Sequence, residues 1–184
     1  MKPLILGLIG ERFAGKDVVA SYLVKQYKAD HFRFSHILDD ILNMLNLEIS
    51  RRNEIDLGLG LRKIFGKQVL GPAIAKKVAE SENRLIVING IRMDEVENIK
   101  ALGAKFIYIT APLETRFERY KNRREKADDA VMDFENFSKQ GSELTEIQIP
   151  LLGQEADFKI ENTGSLEELY LSVEKILSNL NFEK

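Results

Sequence analysis

The chain of 184 residues alternates between two patterns. Short, nearly continuous apolar runs recur: "LILGLI" at 4–9, "FRFS" at 32–35, "LIVIN" at 85–89, "KFIYIT" at 105–110 and "DFKIEN" at 157–162. Such runs suit strands buried on both faces. Between them lie longer stretches with apolar residues at helical spacing. The clearest is the last, where Leu166, Leu169, Tyr170, Val173, Ile176, Leu177 and Leu180 follow Ser165 and Glu168, the two ends of a capping box. This alternation predicts an α/β fold, a five-stranded parallel sheet with helices on both faces.

Two regions interrupt the rhythm. Residues 36–80 read as two or three successive helices with no strand between them. Residues 116–148 are polar and charge-rich, opening with "RFERYKNRREKADDA". Ligands in open α/β sheets sit beyond the carboxyl ends of the strands, where such insertions are built. The expectation is a single domain over 1–184, with a helical substrate-binding region at about 36–80 and a lid at about 116–148.

Composition removes several classes. The chain has no cysteine, which excludes disulfides and thiolate metal sites and fits a reducing compartment. A net charge of -2 gives no general case for nucleic-acid binding. "PLILGLIG" is too short to span a bilayer and runs into a glycine-rich loop rather than a cleavage site. The expected setting is cytoplasmic, with no membrane and no nucleic-acid partner; the oligomeric state stays open.

The candidate chemistry starts at "GLIGERFAGKDVVA", residues 7–20. Gly10, Gly15 and Lys16 give the spacing G-x-x-x-x-G-K between an apolar strand and a helix. Glycines there let consecutive N–H groups converge on phosphate oxygens, and the helix adds its positive end. Gly10, Phe13, Ala14, Gly15, Lys16, Asp17 and Val18 are the expected contacts to ATP, with Lys16 reaching its outer phosphates. The plain alternative is an ordinary glycine-rich turn. Where a Ser or Thr hydroxyl holds magnesium in such loops, this chain has Asp17. Its carboxylate either favours the helix N-terminus or serves as the Mg2+ ligand, directly or through water.

"GERFAGKD" resembles the G-x-x-x-S-G-K-D loop of a branch of small P-loop kinases, which includes phage-type deoxynucleoside monophosphate kinases and animal-type phosphomevalonate kinases. More broadly the chain is similar to dephospho-coenzyme A kinases and archaeal adenylate-kinase-related proteins. The matching pieces are "RFSHIL" (33–38), "LRKIFG" (61–66), "NGIRMDEVE" (89–97), "APLETRFERYKNR" (111–123) and "ADFKIENTGSLEEL" (156–169), in order over nearly the whole chain. The resemblance implies a three-layer P-loop kinase fold with an Arg-rich lid. It also implies an ATP- and Mg2+-dependent kinase acting on a phosphorylated small-molecule acceptor. A nucleoside monophosphate comes first among acceptors; dephospho-coenzyme A and a phosphomevalonate-type acceptor are the alternatives. A regulatory ATPase without an acceptor and a partner-binding domain with a vestigial loop are readings of other classes.

Phosphoryl transfer needs positioning and positive charge. Arg92 follows "LIVIN" directly and, by the resemblance, holds the acceptor's phosphate; the alternative is a pair with Glu95. Arg62, inside "LGLRKIFG", is the second acceptor-side arginine. Arg51 and Arg52 read as a solvated charge pair, with contact of one of them to the substrate as the alternative. Arg116, Arg119 and Arg123 recur on one helix face, where like charges repel unless they share an anion such as ATP. Pairs with Glu114, Glu118 and Glu125 are the alternative. The resemblance gives Arg119 and Arg123 catalytic roles beside Lys16 and Arg92.

Ser35 is expected to end the second strand and either bond the substrate or cap a helix. Asp39 or Asp40 is a candidate base or water holder. Asn162, with Thr163 and Gly164, resembles the loop around an adenine ring; a plain turn before a capped helix is the alternative. Asn89 stands where relatives carry Asp. His31 and His36 have no third partner at metal spacing and read as structural or surface residues.

Overall fold

The computed structural model describes residues 2–122, 133–140 and 147–183. Five strands are present: β1 (Leu4–Ile9), β2 (Asp30–Arg33), β3 (Leu85–Asn89), β4 (Lys105–Thr110) and β5 (Phe158–Glu161). They form one sheet in the order β2-β3-β1-β4-β5. Every neighbouring pair is parallel, with registers that place Leu6 beside Val87, Phe32 beside Ile88, Gly7 beside Phe106 and Ile109 beside Ile160.

The apolar runs serve both faces because successive side chains alternate across a strand. Ile5, Ile9, Ile86, Ile88, Phe106 and Tyr108 enter one core cluster. Leu6, Leu8, Leu85, Val87, Ile107 and Ile109 enter the other. Helices α2 (Phe34–Met44), α4 (Gly71–Glu80), α5 (Val96–Ala101) and α8 (Ile149–Gln154) cover the first face. Helices α1 (Lys16–Tyr27) and α9 (Leu166–Asn179) cover the second. The expected helices on both faces of a parallel sheet are therefore present.

Between β2 and β3 the chain runs through three helices, α2, α3 (Arg51–Phe65) and α4. After β4 come α6 (Leu113–Asn122) and α7 (Phe134–Gln140). The capping box at the last helix forms as expected: Ser165 Oγ accepts from Glu168 N–H at 3.2 Å, and Glu168 Oε2 accepts from Ser165 N–H at 2.8 Å.

The second strand departs from its expected bounds. It spans Asp30–Arg33 rather than 32–35, and Phe34 and Ser35 already belong to α2. β2 is an edge strand that pairs only with β3, and that pairing stops at Asn89, the residue beside Arg33. From there helical burial of Phe34, Ile37, Leu38 and Leu42 wins. Among the described residues no helix is long and apolar enough to cross a membrane.

Candidate active site

The loop between β1 and α1 sits at the carboxyl edge of the sheet. Two of its glycines are dictated by space. A Cβ on Gly10 would lie 2.0 Å from the Ile109 carbonyl oxygen, and one on Gly15, at φ 115°, would lie 2.3 Å from Asn162 Nδ2. The first N–H groups of α1 have no carbonyl in a preceding turn and face outward from the helix end. Lys16 lies folded over the loop, its Nζ donating to the Gly10 and Glu11 carbonyls at 2.7 Å each. Ala14 is fully buried, and Val18 packs at the margin of the α1 core.

Phe13 adopts φ 61°. The left-handed region is strained for an aromatic residue. Its ring stands edge-on to Tyr120 at 5.4 Å and packs on Phe137 at 5.9 Å, which ties the loop to α6 and α7.

Asp17 does not cap α1 through its side chain; Gly15 is the N-cap, with no side-chain cap bond. The Asp17 carboxylate instead accepts from Asn89 Nδ2 at 2.7 Å, and Arg33 Nη1 lies 3.5 Å from the same oxygen. Asn89 is therefore not simply a lost charge. It is buried, and its own Oδ1 accepts from the Gly90 N–H at 2.7 Å.

Among the described residues no group of three or more His, Cys, Asp or Glu is placed to hold a metal ion. Magnesium in nucleotide sites takes one or two protein oxygens and draws the rest from phosphates and water. The partly exposed Asp17 carboxylate beside the loop fits an ion that arrives with a nucleotide.

One cleft of about 630 Å³ lies between this loop, the end of β3 and helices α2 and α3. Lys16, Asp17, Ser35, Arg62, Asn89 and Arg92 all line it. So do Arg12 and Arg33, unassigned from sequence, and Arg51, for which substrate contact is the alternative reading. Phe34, Leu38, Ile55, Leu59 and Leu70 give the cleft an apolar wall. Arg33 was open to the strand-end rule, since it is the last residue of β2. The expected solvated pair divides: Arg51 lines the cleft, while Arg52 is exposed and faces Asp56 at 3.7 Å.

Several side chains stand elsewhere than expected. Ser35 neither ends a strand nor caps α2, whose N-cap is Arg33 with no side-chain bond. Asp40 pairs with Lys77 at 3.3 Å, and neither it nor Asp39 is among the cleft residues. The contact between Arg92 and Glu95, the alternative reading for Arg92, is made by the main chain: Arg92 N–H donates to Glu95 Oε2 at 3.1 Å. The ion pair of Glu95 is with Arg62, at 2.5 Å.

The arginine stripe is also used differently. Arg116 Nε donates to the Ala111 carbonyl at 3.1 Å. Arg119 donates to the carbonyls of Phe13 at 3.3 Å, Ala14 at 3.2 Å and Asn162 at 2.9 Å. Burial draws its pKa below the usual arginine value. On the same helix Tyr120 meets the Phe13 ring and stacks on Phe117. The three carbonyl partners of Arg119 lie on two backbone segments, the loop at 13–14 and residue 162, and Arg119 is not among the cleft residues. Arg123 lies outside the described residues.

Asn162 adds bonds of its own. Its Nδ2 donates to the Ala14 carbonyl at 2.8 Å, and its N–H donates to the Thr110 carbonyl at 2.8 Å. The segment after β5 is thus tied by side chain to the glycine-rich loop and by main chain to the end of β4. Glu11, unassigned from sequence, accepts from Tyr108 Oη at 2.7 Å. Burial, reinforced by that bond, pushes the Tyr108 hydroxyl up to about 12. His31 is held neutral, its pKa lowered to about 4 by burial and by Arg33.

No family model matches the chain. It is 28% identical over 181 residues to a UPF0200 protein of Hyperthermus butylicus, covering 96% of this chain and 95% of that one. It is 28% identical over 182 residues to a UPF0200/UPF0201 protein of Archaeoglobus fulgidus, covering 96% of this chain but only 55% of the relative. A UPF0200 protein of Staphylothermus marinus is 33% identical over 124 residues, 65% of this chain and 63% of its own.

Among solved structures, shikimate kinase from Bacteroides thetaiotaomicron superposes with a TM-score of 0.66 at 15% identity, covering 97% of this chain and 99% of that one. Shikimate kinase from Acinetobacter baumannii, in complex with shikimate, gives 0.62 at 20% identity, covering 96% and 94%. At these identities the likeness is one of fold: the chain has the α/β fold of the P-loop kinases.

Proposed function

We propose that this chain transfers the γ-phosphoryl group of ATP to a small molecule that already carries a phosphate, a nucleoside monophosphate first. The observation that carries the reading is the shared cleft. Lys16 of the phosphate loop and the acceptor-side arginines Arg62 and Arg92 line one cavity of about 630 Å³. The loop holds the donor's phosphates at the helix end. The arginines hold an anionic acceptor facing it, and the apolar wall of Phe34, Leu38 and Ile55 receives the acceptor's ring or chain.

In this reading a phosphate oxygen is the nucleophile. Three carboxylates line the cleft, Asp17, Glu54 and Asp94, of which Asp17 is engaged by Asn89 and Arg33. A phosphate monoester has a second pKa near 6, so its oxygen is ionised at neutral pH and needs no base. That oxygen attacks the γ-phosphorus, the bond to the β–γ bridging oxygen breaks, and ADP departs with the electron pair. Magnesium brought by ATP, with Asp17 as its protein oxygen, supplies charge neutralisation when bound. Dephospho-coenzyme A, phosphorylated on a hydroxyl, and a phosphomevalonate-type acceptor are the alternatives.

The test is a panel of nucleoside monophosphates, dephospho-coenzyme A and phosphomevalonate, each with ATP and magnesium. The expected result is ADP release that depends on one nucleoside monophosphate. ADP release at the same rate without any acceptor would favour a regulatory ATPase instead.

A further inference from the structure

One buried carboxylate serves both arginines on the acceptor side. Glu95 is 0% exposed and sits in the helical turn Met93–Glu95 that follows β3. Its Oε1 accepts from Arg62 Nη2 at 2.5 Å, and its Oε2 accepts the backbone N–H of Arg92 at 3.1 Å. A carboxylate taken out of water is costly unless charged or polar partners replace the water. Here the partners come from two separate elements, α3 and the connection after β3.

Gly58, one helical turn earlier, lies close beneath the Arg62 guanidinium. A Cβ at Gly58 would stand 3.0 Å from Arg62 Nη1 and 3.4 Å from Leu38 Cδ1. A glycine inside a helix weakens it. At this position it leaves room for the guanidinium to lie across α3. Arg62 carries five N–H donors in a planar fork, and the bond to Glu95 occupies only part of it.

We propose that Glu95 is a positioning residue. It aims Arg62 and fixes the Arg92 backbone, so that the two arginines form one cradle for the acceptor's phosphate, and Gly58 keeps the path of Arg62 open. The inference rests on the proposed kinase reading for the kind of anion, and on the observed contacts for the geometry.

The test uses the full chain with its phosphate loop filled by a non-hydrolysable ATP analogue and magnesium, titrated calorimetrically with inorganic phosphate. The wild-type chain is expected to bind phosphate. Glu95→Gln keeps the side-chain shape but offers one acceptor oxygen to two donors. It should weaken phosphate binding about tenfold, as should Arg62→Met. The double variant should be no more than about threefold weaker than Arg62→Met alone, because Glu95 acts mainly through Arg62. Gly58→Ala, which favours the helix, should still weaken phosphate several-fold by displacing Arg62. It keeps the test decisive if Glu95→Gln fails to fold.

The proposal is overturned by unchanged phosphate affinity in folded Glu95→Gln or Gly58→Ala, by losses that multiply fully, or by a wild-type chain that binds no phosphate. Phosphate binding as described with no acceptor-dependent ADP release would sink the kinase reading and leave the cradle standing.

Discussion

Asn89 donates its side-chain amide to the Asp17 carboxylate at 2.7 Å while its own carbonyl oxygen accepts the Gly90 N–H at 2.7 Å. The Gly90 N–H needs an acceptor, so the amide nitrogen faces Asp17. A neutral residue at the end of β3 thus orients the charged one at the start of α1. Asn89→Asp would set a second carboxylate against the first in a buried position. It should destabilise the chain at neutral pH by about 1–3 kcal/mol. Part of that loss should return near pH 4, where one carboxyl of the pair takes a proton. Urea unfolding at both pH values checks this; a variant as stable as wild type at pH 7 refutes the coupling.

Asp17→Ser restores the hydroxyl usual at that loop position. The fold should be kept, since Asp17 makes no side-chain cap to α1. The magnesium concentration that half-saturates ATP binding should rise. A superimposable magnesium titration would remove Asp17 from the metal's surroundings.

Arg119 spans three carbonyls, those of Phe13, Ala14 and Asn162. The ammonium of Arg119→Lys cannot reproduce that fork. Stability without nucleotide should fall by about 1–3 kcal/mol, read as a lower melting temperature. A variant that loses turnover yet melts like wild type would return Arg119 to a direct role on ATP.

His31 sets a pH dependence. Its folded pKa is about 4 against an ordinary 6.5, so between those values the unfolded chain binds more protons. Its contribution is intact above about pH 6.5, declines as pH falls toward 4 and changes no further below that. His31→Phe should flatten the stability curve between pH 6.5 and 4 relative to wild type. Parallel curves for the two proteins would contradict the assignment.

The sheet, its helices and the glycine-rich loop were legible because they rest on local signals: apolar runs, helical spacing, a capping box and glycine spacing. The cleft positions of Lys16 and Arg92 follow from the loop spacing and a strand end, and that of Arg62 from its apolar neighbours and the resemblance. Bonds between distant segments were not. Nothing in "LIVING" announces that Asn89 holds Asp17, 72 residues away. Arg119 could be placed on a helix face but not turned onto loop carbonyls, because those lie in distant segments. Glu95 was visible only as a neighbour of Arg92; its ion pair with Arg62 crosses 33 residues of chain. The β2 boundary failed because an edge strand ends where its single partner does.

The most direct measurement follows the γ-phosphoryl group itself. With labelled ATP, magnesium and the acceptor panel, the label should appear on a nucleoside monophosphate, and Lys16→Ala should abolish its transfer. Label found only as free phosphate, or transfer that survives Lys16→Ala, would contradict the account.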